Sequence, residues 1–540
     1  MWSVLRKRFY WIILALVFIL GIYLRLSLPQ LPISDADTDE YLSPAVGMLY
    51  MGHYIPTYRD FLYPCFLTAV LTATHSLYAI ALIQHLAGVA AAALAAVVIF
   101  RLRVFLPASG AFDWSTRAIA LLAACGLLFS QFTILMEHSI RPEGLFPMTC
   151  AVTILAGVEL SRRVLARKYD GAAIFWSIIL VFFSVGNLYL KPAWGLTTGT
   201  ALLPIIFACI LIPREWFRKS AALLGSFLLI LAAFTLPSSF FKSRVGPMSH
   251  WFLPGTLLSA HAEILANVIE KDVLRFPKDS REKTYLTDFL KDIHKAQKNP
   301  RVPRYGLKID PDDLLWCGPL DRLFYQFEKP TDFSRMCYLY YLRGWLEHPF
   351  PMLGKVIRQM EFFYSFRENN VYSSRHGYSL KYVYNKGLKY MREIQSDFPW
   401  PPLESYIESI CKMNLPDKTT WLRAILASTV VWLNYLFLPM ILLSIVGATI
   451  IFVSADKTSP LYHAAMIMLY LASFNFFTSL TISLVHMMDV ARYYFGQITL
   501  SIISQGYQFL FLFALIRNVV LTWAEKRRGR SLVSIGQVQQ

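Results

Sequence analysis

The feature that most constrains this chain is the recurrence, along all 540 residues, of apolar stretches about twenty residues long. A helix needs that length to carry its backbone across roughly 30 Å of hydrocarbon at about 1.5 Å per residue. Hydrocarbon offers no water to the peptide groups, so a stretch of this kind must satisfy its own hydrogen bonds as a helix. An all-α polytopic membrane protein is the expected fold. Composition agrees: 56% of the residues are hydrophobic, 16% are charged and the mean hydropathy is +0.44, outside the range of ordinary soluble domains. The first stretch, residues 9–28, follows Arg6, Lys7 and Arg8 and has no small-residue cleavage site. It reads as a start-transfer helix that is retained.

Lys and Arg outnumber Asp and Glu by 52 to 35, a net charge of +17. Most of the cations sit in short loops beside apolar spans, where they set orientation and meet anionic headgroups; no nucleic-acid partner is expected. Spans are expected at 77–100, 119–135, 145–160, 173–189, 195–212, 223–237, 429–452, 461–484 and 496–516. The run 61–74 is too short to cross and reads as interfacial or re-entrant. Counting it as a span would place Arg162, Arg163, Arg167 and Lys168 outside, against the usual bias. The total is about ten spans with both termini cytoplasmic, in a bacterial inner membrane. The chain divides into an N-terminal transmembrane module (1–236), an exoplasmic, periplasmic domain (237–420) of mixed or mainly helical structure, and C-terminal spans with a basic tail (421–540). In the exoplasmic part, 256–275 reads as one amphipathic helix and another helix follows Pro351. Its tyrosines, among them Tyr338, Tyr340, Tyr341, Tyr378, Tyr382 and Tyr384, fit a small core resting on the bilayer better than a sugar platform. Of seven cysteines, Cys317, Cys337 and Cys411 fall here, and a disulfide between two of them is left open.

The first exoplasmic loop reads Ser34-Asp35-Ala36-Asp37-Thr38-Asp39-Glu40-Tyr41, four carboxylates within six residues directly after a span. The residues that follow, from Tyr41 to Met51, fit a short helix lying at the interface. The other short hairpins on the same side carry Glu137, His138, Arg141 and Glu143, then Lys191, then His486, Asp489 and Arg492. An acidic solvated loop, with basic side chains anchoring at the headgroups, accounts for any one of these groups. It does not account for their concentration at span ends, where ionisable groups are costly unless paired or bathed in a polar cavity. A single exoplasmic cavity of carboxylates and cations suits group transfer from a phosphate: a carboxylate takes the proton of an attacking hydroxyl, and Lys or Arg meets the charge on the departing phosphate. A divalent cation is an alternative occupant, with Asp37, His53, His138 and His486 as its candidate ligands.

In these residues the chain resembles the GT-C superfamily of integral-membrane glycosyltransferases, in the branch with the protein mannosyltransferases and the lipid A aminoarabinose transferase. The matching features are Asp37-x-x-x-Tyr41, Met48-Leu49-x-x-Gly52, Tyr63-Pro64 opening an apolar helix, and Gln84. Arg141-Pro142-Glu143-Gly144-Leu145-Phe146 resembles the second acidic motif, Lys191-Pro192 stands where the family often has Arg-Pro, and Asp489-Val490-Ala491-Arg492-Tyr493 resembles the terminal Arg-Tyr signature. The resemblance covers the membrane portion, mainly residues 9–212. It implies transfer of a sugar, with inversion, from a polyprenyl-phosphate carrier to an exoplasmic glycan, lipid or protein. Asp37 is then the general base, Asp35 and Asp39 are secondary candidates, and Lys191, Arg492, Arg59 and Arg141 hold the donor phosphate. Glu143 stands where relatives carry Asp, which leaves the second acidic role between Glu143 and Glu137. Two other readings compete. A pyrophosphate-linked O-antigen polymerase or ligase would lean on Arg and His in the large loop. A lipid-linked sugar flippase or transporter would place charges and breaks at mid-span and show repeated halves.

Overall fold

The computed structural model describes residues 2–55, 57, 59–211, 216–244, 252–298, 309–315, 318–364, 379–414, 421–486 and 496–537. Among them the chain is helical throughout, and the one β contact is an isolated parallel bridge between Ile33 and Ser139. Among the described residues eight helices are long and apolar enough to cross a membrane: Arg8–Leu26 within α1 (Trp2–Leu26), Leu77–Phe105 containing α4 (Leu77–Leu102), α5 (Gly110–Phe129), α8 (Gly171–Leu190), Pro192–Leu211, Leu422–Ser454, α23 (Pro460–Val485), and Ile498–Trp523 within Ile498–Gln537. A ninth would be the pair α12 (Phe252–Ala260) and α13 (Ala262–Arg275).

The sequence expectation of about ten spans differs at three places, each with a local cause. The segment expected at 145–160 is the 20-residue helix α7 (Phe146–Leu165), which is packed between α4 and α8 and carries Glu159, Arg162 and Arg163 toward its end. The apolar run 223–237 is a short part of α11 (Trp216–Arg244). The span expected at 119–135 is two helices, because Ser130 leaves the helical region (ψ 111°) and its hydroxyl accepts from the Thr133 N–H at 3.4 Å, capping α6 (Gln131–Glu137). The helix expected at 256–275 is likewise two, bent by 91° at His261. The run 61–74 does form a short helix, α3 (Leu62–Thr74), and the interface segment forms α2 (Thr38–Met51).

Burial orders the bundle. In α1, 28% of the apolar window is buried, and it presents Phe9, Trp11, Ile12, Leu16 and Ile19 outward; such a face suits lipid and would be a liability in water. Ile498–Trp523, with 78% of its most apolar 18 residues buried, lies at the centre against α4, α5, α23 and α22 (Leu433–Ser454).

The region between the two sets of spans packs in two ways. Helices from α12 to α17 (Pro330–Glu347) share a core of their own, built on Leu258, Leu265, Ile269, Phe289, Leu323 and Phe333. In contrast, Tyr384, Met391 and Ile394 of α19 (Leu380–Asp397) and Leu403, Tyr406 and Ile410 of α20 (Pro401–Lys412) join the core of the membrane bundle. Tyr384 is therefore a buried strut rather than a bilayer-facing residue. Cys337 is buried in the smaller core and Cys411 is exposed, and both are free thiols; Cys317 lies outside the described residues.

Candidate functional site

The first loop is held from two sides before its carboxylates make any contact. Ile33 N–H donates to His138 O (2.8 Å) and Ile140 N–H donates to Ile33 O (2.9 Å), which zips the loop to the hairpin between α6 and α7. From the other side Tyr384 OH donates to Leu31 O (2.5 Å) and Tyr406 OH to Pro32 O (2.7 Å). A buried carbonyl must find a donor, and here the donors come from helices more than 350 residues away. This clamp sets the Asp35 and Asp37 carboxylates beside Arg141.

Four of the sequence-predicted residues meet there. The Asp37 carboxylate lies between two guanidiniums, 3.1 Å from Arg59 Nη2 and 3.1 Å from Arg141 Nη1. Arg141 Nε also donates to Asp35 Oδ2 in a short contact, and Asp35 Oδ1 accepts from the Asp37 N–H (3.0 Å), forming the turn that opens α2. Arg59 Nε makes a short bond to Glu40 Oε2, which the sequence reading did not single out. Three carboxylates thus face two guanidiniums. Burial, outweighing the attraction of Arg59, pushes the Glu40 carboxyl up to about 7. Arg59 stacks over the ring of Tyr41 (5.2 Å to the centroid) and over Phe252 (5.6 Å), so the smaller helical core begins against this cluster. Burial raises the Tyr41 phenol above its ordinary value, and Arg59, Glu143, Asp37 and Arg141 all lie near enough to act on it.

Glu143 and Lys191 form a second, neighbouring pair (Oε1–Nζ 3.3 Å), both side chains nearly buried, with Lys191 Nζ 5.8 Å from the centre of the Phe146 ring. Each cation predicted for the donor phosphate and described here, Lys191, Arg59 and Arg141, is therefore matched by a carboxylate. Arg492 lies outside the described residues, as does Asp489; Gly496, where the description resumes, packs against Lys191.

The choice between Glu137 and Glu143 is sharpened by burial. Glu137 is fully buried and held by both arms of Arg25 (Nε–Oε2 2.7 Å, Nη2–Oε1 2.7 Å) and by His85 Nδ1 (3.1 Å). It works as a strut linking α1, α4 and α6, whereas Glu143 sits beside the acidic loop. Asp39 turns away from both arginines to accept from Ser43 Oγ in its own helix (2.5 Å). Gln84 is also structural: its amide donates to Glu137 O (2.8 Å) and Ser139 O (2.7 Å) and accepts from Tyr63 OH (2.7 Å).

The candidate metal ligands do not converge. His53 is exposed and bonds Met51 O (3.3 Å). His138 is buried between His85 Nε2 (3.0 Å) and Tyr384 OH (2.8 Å), and burial with His85 beside it lowers its pKa to about 3, so it is neutral. The backbone carbonyl of His486 accepts from Lys355 Nζ. Among the described residues no three His, Cys, Asp or Glu side chains gather as a metal site requires.

Arg25, His85 and Glu40 were absent from the sequence-level site. Arg25 had a legible signal, a cation in the last turn of an otherwise apolar first span. No protein-family model, curated protein or solved structure compared with the chain matches it.

Proposed function

We propose that this chain is a GT-C-type membrane glycosyltransferase that moves a sugar from a polyprenyl-phosphate carrier to an exoplasmic glycan, lipid or protein. The observation that carries the proposal is the Asp37 carboxylate held between Arg59 and Arg141, with the Glu143–Lys191 pair alongside, at the ends of apolar helices. With α7 and α11 counted as spans, the chain has about ten and both termini lie in the cytoplasm, placing this cluster on the periplasmic side of a bacterial inner membrane. The carrier's isoprenoid tail lies between spans.

In the proposed reaction the acceptor hydroxyl gives its proton to Asp37 as its oxygen bonds to the anomeric carbon. The bond from that carbon to the phosphate oxygen breaks, and polyprenyl phosphate leaves with the electron pair, inverting the centre. A phosphate arriving beside Arg59 and Arg141 shares with Asp37 the guanidiniums that hold it, which ties proton removal to donor binding. Lys191 and Arg492 are assigned to the same phosphate.

The test is mass spectrometry of the purified protein in nanodiscs with a panel of polyprenyl-phosphate monosaccharides. Wild type is expected to release polyprenyl phosphate from one of them and Asp37→Asn to lose at least about a hundredfold in rate, the scale of general-base catalysis. Full turnover by Asp37→Asn would remove the base assignment. If no monophosphate donor is consumed, a pyrophosphate-linked polymerase or ligase becomes the better reading.

A further inference from the structure

Gln497 carries chemistry that the bundle itself does not use. Its side chain is fully buried, yet neither Nε2 nor Oε1 has a partner among the described residues. Burying an amide with no hydrogen bond is unfavourable, and an apolar residue would fill the position without that penalty.

Its location gives the reason. Gln497 follows Gly496, whose α-carbon faces Lys191: a Cβ there would overlap Lys191 Nζ and lie 3.1 Å from Cε. The turn that presents Gln497 is therefore packed on the Glu143–Lys191 pair. Trp194, three residues beyond Lys191, is also fully buried, and its indole N–H has no partner among the described residues. Its ring meets Phe146 edge to face at 5.5 Å, the same Phe146 that faces Lys191 Nζ. This end of the bundle thus combines an ion pair, aromatic surface, and two buried polar side chains without partners among the described residues.

One amide carries a donor and an acceptor side by side, which match a pair of neighbouring hydroxyls, and an indole supplies one further N–H. Aromatic surface packs against the C–H face of a sugar ring. We propose that Gln497 and Trp194 form a sugar-hydroxyl subsite beside Glu143 and Lys191, an inference that rests on the glycosyl-transfer reading above. The hydroxyls come from the donor sugar or from a glycan acceptor.

The full-length protein in nanodiscs is titrated with undecaprenyl phosphate bearing the monosaccharide that turns over and, separately, with bare undecaprenyl phosphate, both followed by native mass spectrometry. Gln497→Ala is expected to bind the sugar-bearing carrier about tenfold more weakly and the bare carrier unchanged, and Trp194→Phe to show the same selectivity with a smaller loss. Gln497→Met keeps the volume and guards against collapse of the site. It should show the same selectivity with a thermal midpoint at or above wild type, because it removes a buried amide with no partner among the described residues. If donor affinity holds while the KM for the acceptor rises about tenfold, the subsite stands and belongs to the acceptor. Unchanged donor affinity and acceptor KM in Gln497→Met, or an equal loss for both carriers, overturns the subsite and leaves glycosyl transfer intact. A wild type that binds and consumes none of the carriers overturns the transfer reading, and the subsite with it.

Discussion

Gly88 lies on α4 against the Glu137 carboxylate, and its replacement by alanine is expected to break the strut that joins α1, α4 and α6. A Cβ at position 88 would overlap Glu137 Oε1 and Cδ and lie 2.6 Å from Oε2. An ordinary carbon–oxygen contact is about 3.3 Å or more, so the carboxylate would have to retreat by on the order of an ångström. A flexible surface glutamate would do so at little cost. Glu137 is instead fully buried and gripped by Arg25 through two 2.7 Å bonds and by His85, while Arg25 is itself tied to Gly21 O (2.9 Å) and Leu128 O (3.1 Å). Displacement breaks at least one arm of a buried ion pair, a loss of about 3–5 kcal/mol. The better helix propensity of alanine offsets about 1 kcal/mol of this. The net is about 2–4 kcal/mol, and in a chain of this size the thermal midpoint should fall by several degrees. Thermal unfolding in detergent, read by tryptophan fluorescence, measures it. Gly225→Ala, inside α11 with open space around its α-carbon, is the control and should be neutral or slightly stabilising. In a Glu137→Ala background Gly88→Ala should do little further harm, since the clashing group is gone. A Gly88→Ala midpoint equal to that of Gly225→Ala would refute the reasoning.

Three other outcomes follow from the same contacts. Tyr384→Phe removes the hydroxyl that donates to Leu31 O and bonds His138 Nε2; a loss of about 1–3 kcal/mol and faster hydrogen exchange at residues 31–35 are expected, and unchanged exchange would show that the clamp does not depend on it. Burial raises Glu40 from 4.5 to about 7, so between those values the folded protein holds a proton that the unfolded chain has released. Wild type should therefore lose stability relative to Glu40→Gln as pH rises from about 4.5 to about 7, and parallel curves would contradict the assignment. Lys355, buried in α18 (Pro349–Tyr364) with its ammonium on Ser483 O (2.8 Å) and His486 O, is lowered from 10.5 to about 7 by burial. Here the unfolded chain binds the extra proton, so stability relative to Lys355→Met should rise between about pH 7 and 10.5; a flat difference over that window, falling only above about 10.5, would show that the two carbonyls outweigh desolvation.

The membrane character of this chain, its helical fold and the extent of most spans were legible in the sequence, because a helix in hydrocarbon satisfies its own peptide groups and needs little from its neighbours. The short helix α3 was legible for the same reason, through length alone. Places where a single side chain competes with the helix were not: Ser130 breaks one expected span and His261 marks a 91° bend, and neither interrupts the hydropathy. The sequence also grouped Asp35, Asp37, Arg141, Glu143 and Lys191, since ionisable residues at span ends are rare enough to stand out. Only tertiary packing decided their partners. Asp39 and Glu40 are adjacent in sequence, yet a helix points them in different directions, one to Ser43 and the other to Arg59. Glu143 stood in the second acidic motif with Glu137 as the alternative; the grip of Arg25, 112 positions away, makes Glu137 a buried strut and leaves Glu143 beside the acidic loop. Side-chain partners across such distances depend on how helices pack, which hydropathy and spacing along one chain do not encode.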